Sequence, residues 1–377
     1  MNPAPIYLDY NATTPVDPRV LEAMLPYLAD HYGNPSSDHV LGQRAKAAVE
    51  AARAEVAALI GAMPGEIVFT GCATEANNLA LLGAARASGR KALVTSAIEH
   101  PSVLQPLRHL ARQGWALTEL PVDAAGRVQV DHAVNAITPE VALVSVMLAN
   151  NETGSLQAVR ALADLAHAAG ALMHVDAAQA VGKVAVDVKA LGADLLTLAG
   201  HKFYAPKGVG ALVVRTGVAL EPIQFGAGHE RGLRPGTENV PHIVALGEAA
   251  RLARTTLAQE AARMTALRDR LHGLLAAAIP GLQLNGHPTE RLPNTLNVSF
   301  PAVAGWQVLA AAPTVAASTG SACHAGDHAV SGVLAAMGLT REAAAGAVRL
   351  SLGRFTTGSE IDTAAAALIG AWKPLTA

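Results

Sequence analysis

The chain has 377 residues, of which 51% are hydrophobic and only 15% charged, with a formal net charge of -2. That length carries enough apolar surface for one large core and a smaller second one. The near-balanced charge excludes an electrostatic case for nucleic acid or an anionic membrane as partner. Two cysteines exclude a disulfide framework and fit a reducing compartment.

The opening "MNPAPIYLDY" has neither the basic region nor the apolar stretch of a signal peptide. No uncharged apolar run reaches the length of a membrane span, so the expectation is a soluble, cytoplasmic protein. From about Glu66 the chain alternates short apolar runs with alanine-rich stretches. "EIVFT" predicts a strand and "EANNLALLGAARASG" a helix ended by Gly89. "KALVTS" is a strand, and "PSVLQPLRHLARQG" a helix with Pro101 in its first turn. "VALVSVML" and "VRALADLAHAAG" repeat the pair, and "ALMHVD", "ADLLTLAG" and "VGALVV" follow as strands. Alternating strand and helix predicts an α/β fold, a mostly parallel sheet covered on both faces.

After Gly247 the pattern changes. A long helical stretch, "LGEAARLARTTLAQEAARMTALRDRLHGLLAAAI", precedes the strand "NTLNVSF", the polar loop "STGSACHAGDH", a short helix "VLAAMG", the strand "AVRLSLG" and a C-terminal helix. The expected organisation is a large domain over residues 15–250 and a smaller α+β domain built from 1–14 and 251–377.

Five predicted strands end in small polar clusters: "TGCATE", "SAIEH", "ANNETG", "DAAQ" and "GHK". They would converge on one rim, where open α/β sheets bind ligands. "FTGCATEANN" offers a helix N-terminus and the Thr74 hydroxyl to a phosphate, or simply an N-cap at Thr74. No Gly-Lys-Ser/Thr follows, so it is not a P-loop. Asp176 in "HVDAAQ" is a carboxylate suited to a protonated ring nitrogen, with Gln179 close by. Lys202 in "LTLAGHKFYAPKG" supplies an amine able to form a Schiff base. Phosphate cup, acidic partner and lysine together point to pyridoxal 5'-phosphate (PLP); the alternative is a structural Asp176–Lys202 ion pair.

Cys323 in "STGSACHAGDH" is a candidate nucleophile in a small-residue loop. Metal ligation by Cys323, His324 and His328 fits zinc spacings poorly, so no metal is expected. Cys72 is expected to be buried and structural. "FGAGHERGLRPGTENV" has glycines without a strand leading into a dinucleotide helix, and reads as a surface loop rather than a nicotinamide site.

Across nearly its whole length the chain resembles the cysteine desulfurase and selenocysteine lyase family, PLP enzymes of fold type I related to class V aminotransferases. The resemblance rests on "YLDYNATTPVDPRV", "GNPSS", "FTGCATEANN", "IEHPSV", "MLANNETG", "HVDAAQAVGK", "GHKFYAPKG", "HERGLRPGTENVP", "RLPNTLNVSF", "GSACHAG" and "RLSLGRFTT", all in order. It implies that Lys202 binds the cofactor aldehyde and then moves the substrate α-proton. His100 would stack on the pyridine ring and assist proton transfer, and Asp176 would pair with the ring nitrogen. Gln179 and Asn151 would reach the phenolic oxygen and its surroundings. Ala73, Thr74, His201 and, from the partner subunit of a homodimer, Thr237 would hold the phosphate. Asn151 and Arg349 would bind substrate, with the guanidinium gripping its carboxylate. Cys323 would attack the substrate sulfur and carry it as a persulfide, leaving alanine.

The implied substrate is L-cysteine or L-selenocysteine, and the implied recipients are sulfur-acceptor proteins such as an iron–sulfur scaffold. Desulfurase ranks ahead of selenocysteine lyase, and intact Lys202, His100, Asp176 and Arg349 argue against a catalytically silent scaffold. Two departures stand out. Ala199 replaces a serine that many desulfurases direct at the phosphate, and "TGCATE" replaces the commoner "TSGATE".

Overall fold

The computed structural model describes residues 4–320 and 331–376; Cys323, His324 and His328 lie outside them. In chain order the strands are β1 (Ile6–Tyr7), β2 (Ile67–Thr70), β3 (Ala92–Ser96), β4 (Ala116–Leu120), β5 (Val141–Met147), β6 (Leu172–Asp176), β7 (Leu195–Ala199), β8 (Gly210–Val214), β9 (Gln283–Asn285), β10 (Thr295–Ser299), β11 (Val315–Ala316) and β12 (Ala347–Ser351). Seven of them form one sheet in the order β2-β8-β7-β6-β5-β3-β4.

Strands β3 to β7 run parallel, whereas β8 is antiparallel to both β7 and β2. The link from β7 to β8, residues 200–209, is shorter than the dozen or more residues a parallel crossover needs. The chain therefore turns back on itself there. β4, which the apolar runs did not mark, is the edge strand, and its "ALTEL" is mostly exposed. β5 is buried along its whole length, as a central strand covered on both faces must be.

Helices α1 (Pro18–Ala29), α2 (Val40–Ile60), α3 (Ala73–Ala87) and α4 (Pro101–Arg112) account for much of that cover. α1 starts on Pro18 with the Asp17 carboxylate accepting from the Arg19 N–H, a regular N-cap. α2 stops where Gly61 takes a φ of 68°, which glycine adopts without steric cost. α3 ends one residue short of Ser88, so Gly89 does not terminate it. Alternate residues of β5 feed opposite faces: Val144 and Val146 join Val49, Val56 and Ile60 of α2, while Leu143 joins Leu79 of α3 and Leu107 of α4.

A separate three-stranded antiparallel sheet, β12-β10-β9, has its own core of Leu271, Leu275, Leu296, Val298, Val348, Leu350 and Leu368. The 39-residue helix Val240–Ala278 joins the two cores. Its Ile243, Leu246 and Ala250 lie in the first, and Leu271 and Leu275 in the second. The N-terminal segment crosses the same junction, with Leu8 in the small core and Tyr10 in the large one. Asp9 and Asn11 are thereby set at the boundary. Among the described residues, no helix is long and apolar enough to cross a membrane.

Candidate active site

A cleft of about 260 Å³ opens at the carboxyl rim of the large sheet. The five polar strand ends meet there: Cys72, Ala73 and Thr74 after β2, His100 and Ser102 after β3, and Asn151 after β5 line it. Asp176 and Gln179 follow from β6, and Ala199, His201 and Lys202 from β7. Asn11, Ala12 and Arg349 of β12 close the side next to the small core. The expected site residues in the cleft are thus Ala73, Thr74, His100, Asn151, Asp176, Gln179, His201, Lys202 and Arg349.

Lys202 sits on one turn of 3-10 helix directly after β7, and its Nζ donates to the carbonyls of Asn11 (2.7 Å) and Ala12 (2.8 Å). His201 Nδ1 lies 3.1 Å from Thr13 Oγ1, and its carbonyl accepts from Thr14. "NATT" is therefore the strap that seats the lysine turn. Asp176, buried at the end of β6, accepts from the Ala178 N–H and from Asn77 Nδ2, each at 2.9 Å. This is not a direct ion pair with Lys202, so the structural alternative loses its geometry. Gln179 donates to the Asn11 carbonyl (3.0 Å) and accepts from the buried Lys183 (2.6 Å).

At the other end, Cys72 is the N-cap residue of α3, and its side chain makes no capping hydrogen bond. Thr74 is therefore not the N-cap, and Cys72 is exposed rather than a buried structural thiol. Apolar neighbours in "GCAT" suggested burial, but the helix start turns the thiol to the cleft. Gly210 of β8 lets α3 approach the sheet: a Cβ there would lie 2.9 Å from the Cys72 carbonyl carbon and 3.1 Å from the Ala73 nitrogen. Ala199, the last residue of β7, is fully buried and presents no hydroxyl.

Burial sets the charge states. His201 is pushed down to about 4 by desolvation, with Lys202, Lys207 and Lys183 adding to the effect. His100 is lowered by desolvation, opposed by Asp176 and aided by Lys202. Lys183 is held well below the usual lysine range, first by burial and then by Lys202 and Arg349.

These groups fit PLP. An uncapped helix start that could offer backbone N–H groups to a phosphate, a buried carboxylate at Asp176 suited to a protonated ring nitrogen and the amine of Lys202 all line the same cleft. Arg349 donates to Asp9 Oδ1 (2.7 Å) and to the Asn151 carbonyl (3.1 Å). Its buried Nε has no partner among the described residues, which suits an incoming carboxylate. No group of three or more His, Cys, Asp or Glu among the described residues could hold a metal ion.

Thr237 is exposed and does not line this cleft. Cys323 lies outside the described residues. Glu152, next to Asn151, accepts from Ser331 Oγ at 2.6 Å, and a Cβ added at Gly320 would lie 3.1 Å from the same carboxylate oxygen. Sequence reasoning missed Asn11, Asn77, Ser102 and Lys183 as site residues. All four fall inside motifs that had already marked the chain, which was the available signal.

The class-V aminotransferase family model matches residues 6–363. Cysteine desulfurase 2 of Trichormus variabilis is 48% identical over 360 residues, covering 95% of this chain and 90% of that protein. Cysteine desulfurase IscS of Anaeromyxobacter dehalogenans is 49% identical over 366 residues, covering 96% and 90%. A solved NifS-like protein superposes with a TM-score of 0.91 at 36% identity, covering 97% of this chain and 98% of that one. With that match along its length and a cleft that fits the cofactor, the chain belongs to the class-V aminotransferase family of PLP-dependent, fold type I enzymes.

Proposed function

We propose that the enzyme is a cysteine desulfurase, which moves the sulfur of L-cysteine onto Cys323 and releases L-alanine. The observation that carries this reading is the assembly of Lys202, Asp176, the α3 N-terminus and Arg349 around one cleft. Its similarity to desulfurases supports the same choice.

In this reading the residues of 15–250 hold the cofactor, and those of 1–14 and 251–377 bring Arg349 and Cys323. The start of α3, with Ala73 and Thr74, and His201 would hold the phosphate, and Thr237 would join them from the partner subunit of a homodimer. Asp176 would hold a proton on the ring nitrogen, His100 would stack on the ring, and Gln179 and Asn151 would reach its oxygen and surroundings. When bound, the cofactor supplies an electron sink for the pair left at the substrate α-carbon. Arg349 orients the substrate carboxylate, and Lys202 takes the α-proton.

The Cys323 thiolate then attacks the substrate sulfur. The new S–S bond forms as the C–S bond breaks, its electron pair stays with the carbon fragment, and protonation yields alanine. Cysteine plus thiol thus gives alanine plus persulfide, with no outside oxidant. Acceptor proteins, such as an iron–sulfur scaffold, take the sulfur in a reducing cytoplasm.

Mass spectrometry of the PLP-loaded protein after L-cysteine tests the carrier. The expected result is one added sulfur on the Cys323 peptide, absent in Cys323→Ser. Sulfide release by that variant at the wild-type rate overturns the assignment. Steady-state kinetics on L-cysteine and L-selenocysteine side by side test the substrate: selenocysteine cleavage with little cysteine turnover assigns the chain as a lyase instead.

A further inference from the structure

His100 does more than line the cleft: it is the N-cap of α4. The Ser102 N–H donates to His100 Nδ1 at 3.1 Å, so Nδ1 presents a lone pair. Ser102 Oγ lies 2.7 Å from the same nitrogen. Asn77 Nδ2, 2.9 Å from Ser102 Oγ, donates to that oxygen, and it also donates to Asp176 Oδ2 at 2.9 Å.

The directions of these bonds follow from one charge. An Asp176 carboxylate can only accept, so the amide of Asn77 must turn its NH2 towards it. The second N–H of that NH2 reaches Ser102 Oγ. With a lone pair engaged, the serine hydroxyl spends its own proton on His100 Nδ1. The opposite amide orientation would set Asn77 Oδ1 against the carboxylate. In the orientation adopted, that oxygen is buried without a partner among the described residues. A buried acceptor left unpaired costs about 1–3 kcal/mol, and the two bonds from Nδ2 outweigh it.

We propose that Asn77 and Ser102 are positioning residues: through them the Asp176 carboxylate holds His100 as the tautomer with its proton on Nε2. A ring in that form donates a hydrogen bond from Nε2 and takes a proton only at Nδ1. Taking it there breaks both bonds from Ser102. The arrangement therefore keeps His100 neutral against the cofactor ring and makes it a donor, not a base, towards substrate. The charged and titratable groups facing it are Asp176 from the end of β6, which favours the cation, and Lys202 from the turn after β7, which opposes it. His201 and Arg349 share the cleft.

The inference rests on the proposed reading for its catalytic meaning, but its test does not depend on turnover. The PLP-loaded protein, with 15N-labelled histidine and the His100 signals assigned by their loss in His100→Gln, is followed by NMR against pH. The expected result is the Nε2–H tautomer at neutral pH and protonation only below the usual histidine range. Ser102→Ala and Asn77→Ala should each raise the His100 midpoint by about one pH unit, the size of one lost hydrogen bond, and Ser102→Thr should restore it. An Nδ1–H tautomer in the wild-type protein overturns the inference without any variant. So does an unchanged midpoint in Ser102→Ala. If the protein shows the expected tautomer and shifts but turns over no cysteine, only the desulfurase reading fails.

Discussion

Arg349 and Asp9 meet across the junction of the two cores, Nη2 to Oδ1 at 2.7 Å, with the guanidinium buried and the carboxylate partly exposed. A buried guanidinium without a partner would be costly, so Asp9 fixes its plane and leaves Nε for another acceptor. A lysine ammonium also has three donors, but they radiate from one point and cannot reproduce the spread of a guanidinium, which meets Asp9 from Nη2 and the Asn151 carbonyl from Nη1 and keeps Nε for a carboxylate. Arg349→Lys should therefore raise KM for L-cysteine by about ten- to a hundredfold, the equivalent of one charged hydrogen bond. The cofactor absorbance should persist. Steady-state kinetics check it, and an unchanged KM removes Arg349 from substrate binding.

Gly210 and the start of α3 are packed backbone against backbone. A methyl group at position 210 would meet the Leu198 carbonyl oxygen at 2.8 Å and the Cys72 carbonyl carbon at 2.9 Å. Neither can move as a side chain does, so Gly210→Ala should destabilise the fold by about 1–3 kcal/mol. The displaced helix start should also weaken PLP binding about tenfold. Denaturant titration and a PLP titration followed by absorbance measure the two effects separately.

Two buried groups near the rim should give stability opposite pH slopes. Glu99 is raised to about 8, chiefly by burial, while Ser96, Met147 and Asp176 contribute smaller effects. Between about 4.5 and 8 the native state keeps a proton that the unfolded chain has lost. Its stabilising contribution is full below 4.5 and declines as pH rises to 8. His174 is lowered to about 4 by burial, partly offset by Asp176. Between 6.5 and 4 the unfolded chain binds a proton that the native state does not, so stability declines as pH falls. Each effect amounts to about 1.4 kcal/mol per pH unit inside its window. Denaturant melts of Glu99→Gln and His174→Gln against the wild type should show the corresponding slope removed.

Much of this arrangement is legible in the sequence because parallel strands buried on both faces leave unbroken apolar runs, as in "VALVSVM". Each run then stops at the polar residues that line the rim. β4 escaped because an edge strand needs no such run, and β1 and β11 are two residues each. The reversal at β8 lay in a loop length, not in the residues of the strand. Cys72 misled because residue type favours burial, whereas its exposure is decided by where α3 starts. The link from Asp176 through Asn77 and Ser102 to His100 joins positions up to 99 apart in sequence. Only the fold brings them within bonding distance.

In the proposed reaction, PLP-dependent removal of sulfur from cysteine requires Lys202. The direct measurement is L-alanine formed from L-cysteine by the PLP-loaded protein, with sulfur transfer counted in parallel, in the wild type and in Lys202→Ala. The expected result is alanine and transferred sulfur in equal amounts from the wild type, and loss of both in the variant. Equal alanine formation by Lys202→Ala, or none from the PLP-loaded wild type, would remove Lys202-dependent desulfuration from this enzyme.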